Sequence, residues 1–221
     1  MFKTSFKKII ASLLLIVTIF NCTLITFTPE VNAASDRFFQ TAKGVHAQFR
    51  RDKFQYNLSV LKQITKSPYK TNNRKITDCS HFVSVALYKY FSSEKRLYMR
   101  QNTEVKNAQL SSVDFMNIGN RLNGKSVIPR YFSVATINKL ANYFTLVTTH
   151  EKLTTKKPKN KKGLKRGDIL VYSGHVEIFV YKKYGKLYVL NCGGNDSIRV
   201  KGDVSESNHK IDQIQYVLRV K

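Results

Sequence analysis

Hydrophobic positions in the first half of the chain recur every three or four residues, which is the spacing of one buried helix face. Ser35-Asp36 offers a cap for a first helix. Its apolar positions are Phe38, Phe39, Ala42, Val45 and Phe49. Leu58, Leu61 and Ile64 favour a second helical stretch. We expect both helices to pack on the core of the domain.

A third helix is predicted to begin at Cys79 and run through Tyr90, with Asp78 as its cap. Its buried face would consist of Phe82, Val83, Ala86, Leu87 and Tyr90. This places Cys79 in the first helical turn. The section from Ser93 to Thr149 has a mixed pattern, within which residues 133–144 favour another helix.

The pattern changes to alternation after the basic run at residues 156–162. Asp168 to Tyr172 and His175 to Tyr181 read as strands joined by a Ser173-Gly174 turn. Further strands are predicted at Lys186 to Cys192, Ser197 to Lys201 and Gln213 to Val220. Helices followed by consecutive short strands predict an α+β fold built on an antiparallel sheet.

The N-terminus has the pattern of an export signal. Three lysines precede the apolar run Ile9 to Phe20, and Val31-Asn32-Ala33 supplies small residues where a signal peptidase cuts. We therefore predict a signal peptide at residues 1–33 and a secreted or cell-wall-associated protein. A retained membrane anchor is the alternative, because apolar residues continue to Phe27.

The chain is strongly basic, with 38 Lys and Arg against 14 Asp and Glu and a net charge of +24. Such a surface attracts anions. Charge alone would favour nucleic acid, but an exported protein meets little of it. We expect instead anionic cell-wall polymers, lipid head groups or the carboxylates of peptidoglycan stem peptides as partners.

Cys79 and His175 are the candidates for nucleophilic chemistry. A free cysteine has a pKa of about 8.5, and the N-terminus of a helix stabilises the thiolate form and an oxyanion beside it. His175 begins a strand, where its ring can act as the base. A polar residue on the neighbouring strand can orient the ring, and Asn191 is the candidate. Strand alternation sends Cys192 to the other face as a packing residue, and a disulfide between Cys79 and Cys192 is the alternative.

Three blocks of the sequence, in this order, resemble the signatures of the NlpC/P60 family of peptidoglycan peptidases. They are Asp78-Cys79-Ser80-His81-Phe82-Val83-Ser84, Leu164-Lys165-Arg166-Gly167-Asp168-Ile169-Leu170 and Gly174-His175-Val176-Glu177-Ile178-Phe179. The resemblance covers roughly residues 69–220. It implies a papain-like α+β core over residues 67–221, preceded by an N-terminal helical segment at 34–66. It also implies the catalytic residues Cys79, His175 and Asn191, and cleavage between the side-chain carboxyl of D-glutamate and a diamino acid.

Some positions depart from the family pattern. His81 stands where the family usually has glycine; it is expected to face away from the thiolate and is a candidate for narrowing the cleft. Tyr69 is the remnant of an aromatic segment before the cysteine, with an oxyanion or substrate-positioning role or, alternatively, loop packing. Asp78 and Ser80 flank the cysteine and are further candidates for substrate binding or the oxyanion site.

One further motif does not meet its structural requirement, and the spacings typical of metal ligands are absent from the sequence. Residues 119–126 match the letters of a phosphate-binding loop, but Pro129 would disrupt the helix that such a loop requires, so we predict no nucleotide site. The sequence has no His-Glu-x-x-His and no Cys-x-x-Cys pattern, so we expect no metal and no cofactor. His46, His150 and His209 are interpreted as surface or packing residues. A monomer is expected.

Two other functions fit the same residues. An N-acetylmuramoyl-L-alanine amidase or a CHAP-type hydrolase is the nearest enzyme alternative. A non-catalytic wall-binding or toxin-like protein on the same fold is the alternative of a different class.

Overall fold

The computed structural model describes residues 29–57, 75–93, 110–130, 132–154, 163–192 and 204–221. Its helices are α1 (Pro29–Arg51), α2 (Cys79–Ser93), α3 (Ser112–Leu122), α4 (Val134–Ala141) and α5 (His150–Thr154). Its strands are β1 (Gln55–Tyr56), β2 (Ile76–Thr77), β3 (Phe144–Thr149), β4 (Ile169–Tyr172), β5 (His175–Lys183), β6 (Lys186–Leu190), β7 (Ser205–Glu206) and β8 (Tyr216–Val220).

Six of these strands form one sheet in the order β3-β8-β4-β5-β6-β7. Every neighbouring pair in it is antiparallel. The predicted α+β class with an antiparallel sheet is therefore confirmed. The short strands β1 and β2 pair separately in parallel, with Tyr56 opposite Thr77.

Strand alternation divides the apolar residues between the two faces of the sheet. Val171, Val176 and Leu218 belong to the large core that α1 and α2 cover. Leu170, Tyr172 and Val217 belong to a smaller cluster on the opposite face. Helices α1 and α2 thus cover one face of the sheet, whereas His175 and Glu177 pair with Tyr172 and Leu170 of the other face at the start of β5.

Helix α2 follows its prediction closely. The Asp78 carboxylate accepts a hydrogen bond from the backbone N–H of His81 at 2.7 Å, which is the geometry of an N-cap. The predicted apolar face is buried, with Phe82 and Leu87 0% exposed. The helix continues to Ser93.

Helix α1 begins earlier than its sequence signal suggested. It starts at Pro29, ahead of the predicted cleavage point, so Ser35 lies within the helix and does not cap it. The Ser35 hydroxyl donates to the backbone oxygen of Arg166 at 2.6 Å. A Cβ added to Gly167 would lie 2.3 Å from the backbone oxygen of Ser35, so this glycine permits α1 to approach the sheet closely.

The region between the helices and strands contains an element that the sequence pattern left unassigned. Ser111 and Asp114 form a reciprocal capping box at the start of α3. Residues 119–122 of the phosphate-loop pattern form the last turn of this helix. A phosphate-binding loop would require a helix that begins at this pattern, whereas α3 ends there. The predicted helix over 133–144 forms as the shorter α4, capped by Ser133.

A buried ion pair connects the beginning of β4 to β8. Arg219 donates from Nε to Asp168 Oδ1 at 2.7 Å and from Nη2 to Asp168 Oδ2 at 2.8 Å. Asp168 is 0% exposed. The pair connects the start of β4, which lies in the second sequence block, to the neighbouring interior strand β8.

The predicted helical stretch at Leu58, Leu61 and Ile64 and the strand Ser197 to Lys201 lie outside the described residues. So do most of the predicted leader and the basic run at 156–162. No helix in the described part of the chain combines the length and apolarity needed to cross a bilayer.

Candidate active site

Cys79 is the first residue of α2 and is 5% exposed. Asp78 organises the chain around it, because one carboxylate oxygen accepts from both the His81 backbone N–H and the Ser80 hydroxyl, the latter at 2.8 Å. The positive end of the helix dipole therefore lies at the sulfur. This environment can stabilise an oxyanion that forms beside the sulfur.

His175 is the first residue of β5, and its imidazole is within hydrogen-bonding reach of the Cys79 side chain. Its Nε2 atom lies 3.3 Å from Glu177 Oε1. This leaves Nδ1 as the ring nitrogen available to the sulfur. The imidazole thus lies between a thiol and a carboxylate. This is the arrangement that activates a nucleophile in hydrolases.

Glu177 lies two residues after His175, so strand alternation places both side chains on one face of β5. Its side chain is 1% exposed. One carboxylate oxygen accepts from Asn191 Nδ2 at 2.8 Å, and the other accepts from Ser207 Oγ at 2.6 Å. The carboxylate is therefore fixed from two sides while it contacts the imidazole.

The electrostatics of this group favour a charged imidazole. Burial alone would lower the pKa of His175, but its hydrogen bonds to Cys79 and Glu177 and their negative charges outweigh burial and raise the pKa to about 10. Burial would likewise raise the pKa of Glu177, yet His175, Ser207 and Asn191 together lower it. The arrangement therefore stabilises the ionised carboxylate and the protonated ring at neutral pH.

Asn191 occupies a different place from the one that the sequence suggested. It was expected to orient the imidazole directly, but the residue that contacts His175 Nε2 is Glu177. The reason is register: Ile178 pairs with Leu190, so continuation of the pairing places Asn191 opposite Glu177. Asn191 acts on the carboxylate and reaches the ring only through it. The backbone oxygen of Asn191 lies 3.1 Å from Nε2 of His46, and this contact connects α1 to the segment that follows β6, called here the Asn191 loop.

Tyr56 is a site residue that sequence reasoning did not identify. Its hydroxyl is within hydrogen-bonding reach of the Cys79 side chain, and burial, followed by the charges of Cys79 and Asp78, raises the pKa of Tyr56. The β1–β2 pairing brings it there, since Tyr56 lies opposite Thr77, two residues before the cysteine. Tyr56 therefore remains a proton donor beside the sulfur. No sequence motif marks this two-residue pairing.

His209, interpreted from the sequence as a surface or packing residue, packs directly beside the imidazole of His175. Its ring lies 4.6 Å from the ring of His175 and stacks on Tyr172 at 4.5 Å, measured between centroids. Its backbone N–H donates to Ser207 Oγ, the same hydroxyl that donates to Glu177. Burial and the positive charge of His175 lower the pKa of His209. One short segment therefore both fixes the carboxylate and covers the imidazole.

The remaining histidines near the site are structural. His81 is fully buried; its Nδ1 atom lies 2.9 Å from the Thr77 hydroxyl, and its ring stacks on Phe49. Its ring fills the core and does not narrow a cleft. His46 is 1% exposed and packs edge-on against Phe82. The ring of His150 contacts the backbone oxygen of Ile214.

Cys192 and Ser80 are both buried. Cys192 is 0% exposed and unbridged, and burial together with the negative charges of Cys79 and Asp78 raises its thiol pKa well above the usual value. A buried neutral thiol is a poor nucleophile. The Ser80 hydroxyl is used by the Asp78 cap, so it does not face a substrate. Tyr69 lies outside the described residues.

Within the described ranges, no group of three or more His, Cys, Asp or Glu side chains could bind a metal ion. Comparison of the chain with protein-family models, with curated proteins and with solved structures finds no match in any of the three.

Proposed function

We propose that this chain is a cysteine peptidase of the NlpC/P60 type, with a papain-like core, that hydrolyses amide bonds in peptidoglycan stem peptides. The observation that carries the proposal is the His175 imidazole positioned between the Cys79 thiol and the buried Glu177 carboxylate. The first and third of the sequence blocks that resemble the family supply every member of this group. The sheet and helix arrangement is compatible with the same proposal.

In the first step, the Cys79 thiolate attacks the carbonyl carbon of the amide. The carbonyl oxygen becomes an oxyanion, which the N-terminus of α2 and the Tyr56 hydroxyl can stabilise. Protonated His175 donates its proton to the leaving nitrogen as the C–N bond breaks. A thioester of Cys79 and a free amine result.

In the second step, His175 is neutral and accepts a proton from water as that water attacks the thioester. The tetrahedral intermediate expels the thiolate, and the carboxylic acid leaves. Glu177 stabilises the imidazolium at both steps, because it contacts Nε2 throughout. Ser207 and Asn191 keep that carboxylate in position.

The substrate class follows from the family resemblance and from charge. Stem peptides carry free carboxylates, which a chain of net charge +24 attracts. Among their bonds, the one between D-glutamate and a diamino acid is the target that the resemblance implies. Secretion to the cell wall, through the predicted leader, would bring the enzyme to this substrate.

Digestion of purified peptidoglycan tests the proposal. We expect the intact protein to release soluble fragments, and mass spectrometry to find a new amine on the diamino acid. Cys79→Ala should lose the activity by at least about 10³-fold, because the nucleophile is gone. Cys192→Ala is the matched control and should keep it. A new L-alanine terminus would instead identify an amidase, and no fragments from any wall preparation would defeat the proposal.

Thiol alkylation separates the enzyme from a non-catalytic protein on the same fold. With iodoacetamide at neutral pH, Cys79 should react much faster than Cys192, as followed by mass spectrometry of the labelled peptides. His175→Gln should slow Cys79 toward the rate of an ordinary thiol. Equal slow rates for both cysteines in the unmodified chain would favour the non-catalytic alternative.

A further inference from the structure

The far end of the β5–β6 hairpin has an unusual surface composition. Residues 181–188, called here the hairpin tip, read Tyr-Lys-Lys-Tyr-Gly-Lys-Leu-Tyr. Tyr181 is 44% and Tyr184 87% exposed, and they are two of only four exposed large hydrophobic side chains in the described part of the chain. Exposed aromatic residues are typical of binding surfaces, and lysines beside them attract anions.

The turn of the tip departs from the usual chemistry of hairpins. Tyr184 and Gly185 connect strands whose last pair is Lys183 with Lys186, and their φ angles are +48° and +80°. Such a two-residue turn, with both φ angles positive, favours Asn-Gly. A tyrosine at the first position costs conformational energy and gains no burial. The local structure therefore does not explain Tyr184.

The charges of the tip also oppose its folding. Lys183 and Lys186 lie directly opposite each other, and like charges in a cross-strand pair are destabilising. Glu206 relieves part of this by pairing with Lys186 at 3.0 Å. The Lys183 ammonium lies over the Tyr184 ring, 5.1 Å from its centroid. Positions that break a local rule without stabilising the fold are expected where a protein binds something.

The same face of the hairpin carries a flat aromatic pair. Tyr181 and Tyr188 are cross-strand partners, and their rings stack at 4.6 Å with an interplanar angle of 17°. Alternation places this pair on the face that carries Lys183 and Lys186. Leu187 points to the opposite face, where it is 3% exposed.

We propose that this face of the hairpin tip binds a linear phosphate-bearing polymer. The Lys183 ammonium, together with the Lys186 ammonium beside its Glu206 partner, matches phosphate groups. The tyrosine rings offer flat apolar surface to the sugar or polyol units between the phosphates. A lipid bilayer fits less well. Surface-binding segments insert Leu, Phe or Trp side chains, whereas the one leucine of the tip is buried in the protein.

The tip is remote from the thiol. Eight residues of β5 separate His175 from Lys183, which at about 3.3 Å per residue is roughly 25 Å. Binding at the tip would tether the protein while leaving the candidate active site open. The inference goes beyond the proposed function and can fail separately from it.

Binding of the full chain to soluble poly(glycerol phosphate) tests the proposal. The double variant Lys183→Gln/Lys186→Gln should bind about fivefold more weakly. The control Lys43→Gln/Lys152→Gln removes the same charge from exposed positions on α1 and α5 and should bind as the unmodified chain does. Equal weakening in the two double variants would show a diffuse charge effect and overturn the proposal.

Tyrosine substitutions supply a second, charge-neutral test. Tyr181→Ala and Tyr184→Asn should each weaken polymer binding by a few fold, with hydrolysis of peptidoglycan unchanged. Phosphatidylglycerol vesicles should show no loss specific to these variants. Loss of vesicle binding with polymer binding intact would reassign the tip to a membrane surface, and no change with either probe would overturn the proposal.

Discussion

The two ends of strand β5 use their side chains in opposite ways. At its start, Glu177 is 1% exposed and every oxygen of its carboxylate has a partner. At its end, Tyr184 is 87% exposed and Lys183 faces another lysine. Buried polar groups need complete networks, whereas exposed ones do not. The start of the strand therefore holds a buried carboxylate in one fixed position, whereas the end exposes its side chains to solvent.

Glu177→Gln should have the largest effect among changes around Cys79 and His175. The amide keeps the shape but removes the charge that raises the His175 pKa, so kcat/KM should fall by about 10²-fold. The alkaline limb of the pH profile, set by loss of the imidazolium, should move below pH 10, because the ring now deprotonates more easily. An alkaline limb that did not move would mean that Glu177 does not raise the pKa of His175.

Asn191→Ala should have a smaller effect of the same kind. It removes one of two hydrogen bonds to the carboxylate and none to the ring, so we expect a loss of about tenfold or less in kcat/KM. Ser207→Ala is the comparison on the other oxygen. If Asn191→Ala were more damaging than Glu177→Gln, the direct contact expected from sequence would be favoured over the observed one.

His209→Phe should change activity mainly in acid. The aromatic ring of phenylalanine preserves the stacking on Tyr172. It cannot gain a proton, so it removes the positive charge that would repel the protonated His175 ring in acid. The groups facing His209 are His175, Glu177 and Tyr172. The charge of His175 lowers the pKa of His209, and the charge of Glu177 raises it. Below about pH 6 the variant should retain more of its neutral-pH activity than the unmodified chain. Identical acid limbs would assign His209 a packing role alone.

Tyr184→Asn should have the smallest effect and the opposite sign. Replacing tyrosine at positive φ with asparagine should raise the free energy of unfolding by about 0.5 kcal/mol. Urea denaturation measures this, with Tyr181→Ala as a neighbouring variant that leaves the turn unchanged. A destabilised Tyr184→Asn protein would mean that Tyr184 stabilises the hairpin after all.

Much of the fold and part of the site could be predicted from sequence. Local signals sufficed for the Asp78 cap, the buried face of α2 and the β4–β5 turn, because short-range patterns determine them. His175 and Cys79 were predicted as a pair, and the structure brings their side chains together.

The residues that sequence reasoning missed depend on long-range pairing. Glu177, and not Asn191, contacts the His175 imidazole, because the hairpin sets the β5–β6 register independently of residue type. Tyr56 reaches the sulfur through a parallel two-residue pairing across a long sequence separation. His209 follows β7, a strand of only two residues. None of these has a periodicity that could reveal it.

The packing of α1 means that the N-terminal segment and the remainder form one mechanical unit. Phe38 and Ala42 of α1 are 0% exposed, His46 contacts the Asn191 loop, and Ser35 is seated against Gly167. A shortened protein that began at residue 67 would expose this apolar surface to water and leave the Asn191 loop without its support. Any shortened version of this chain that keeps the fold must therefore retain α1 from Ser35 onward.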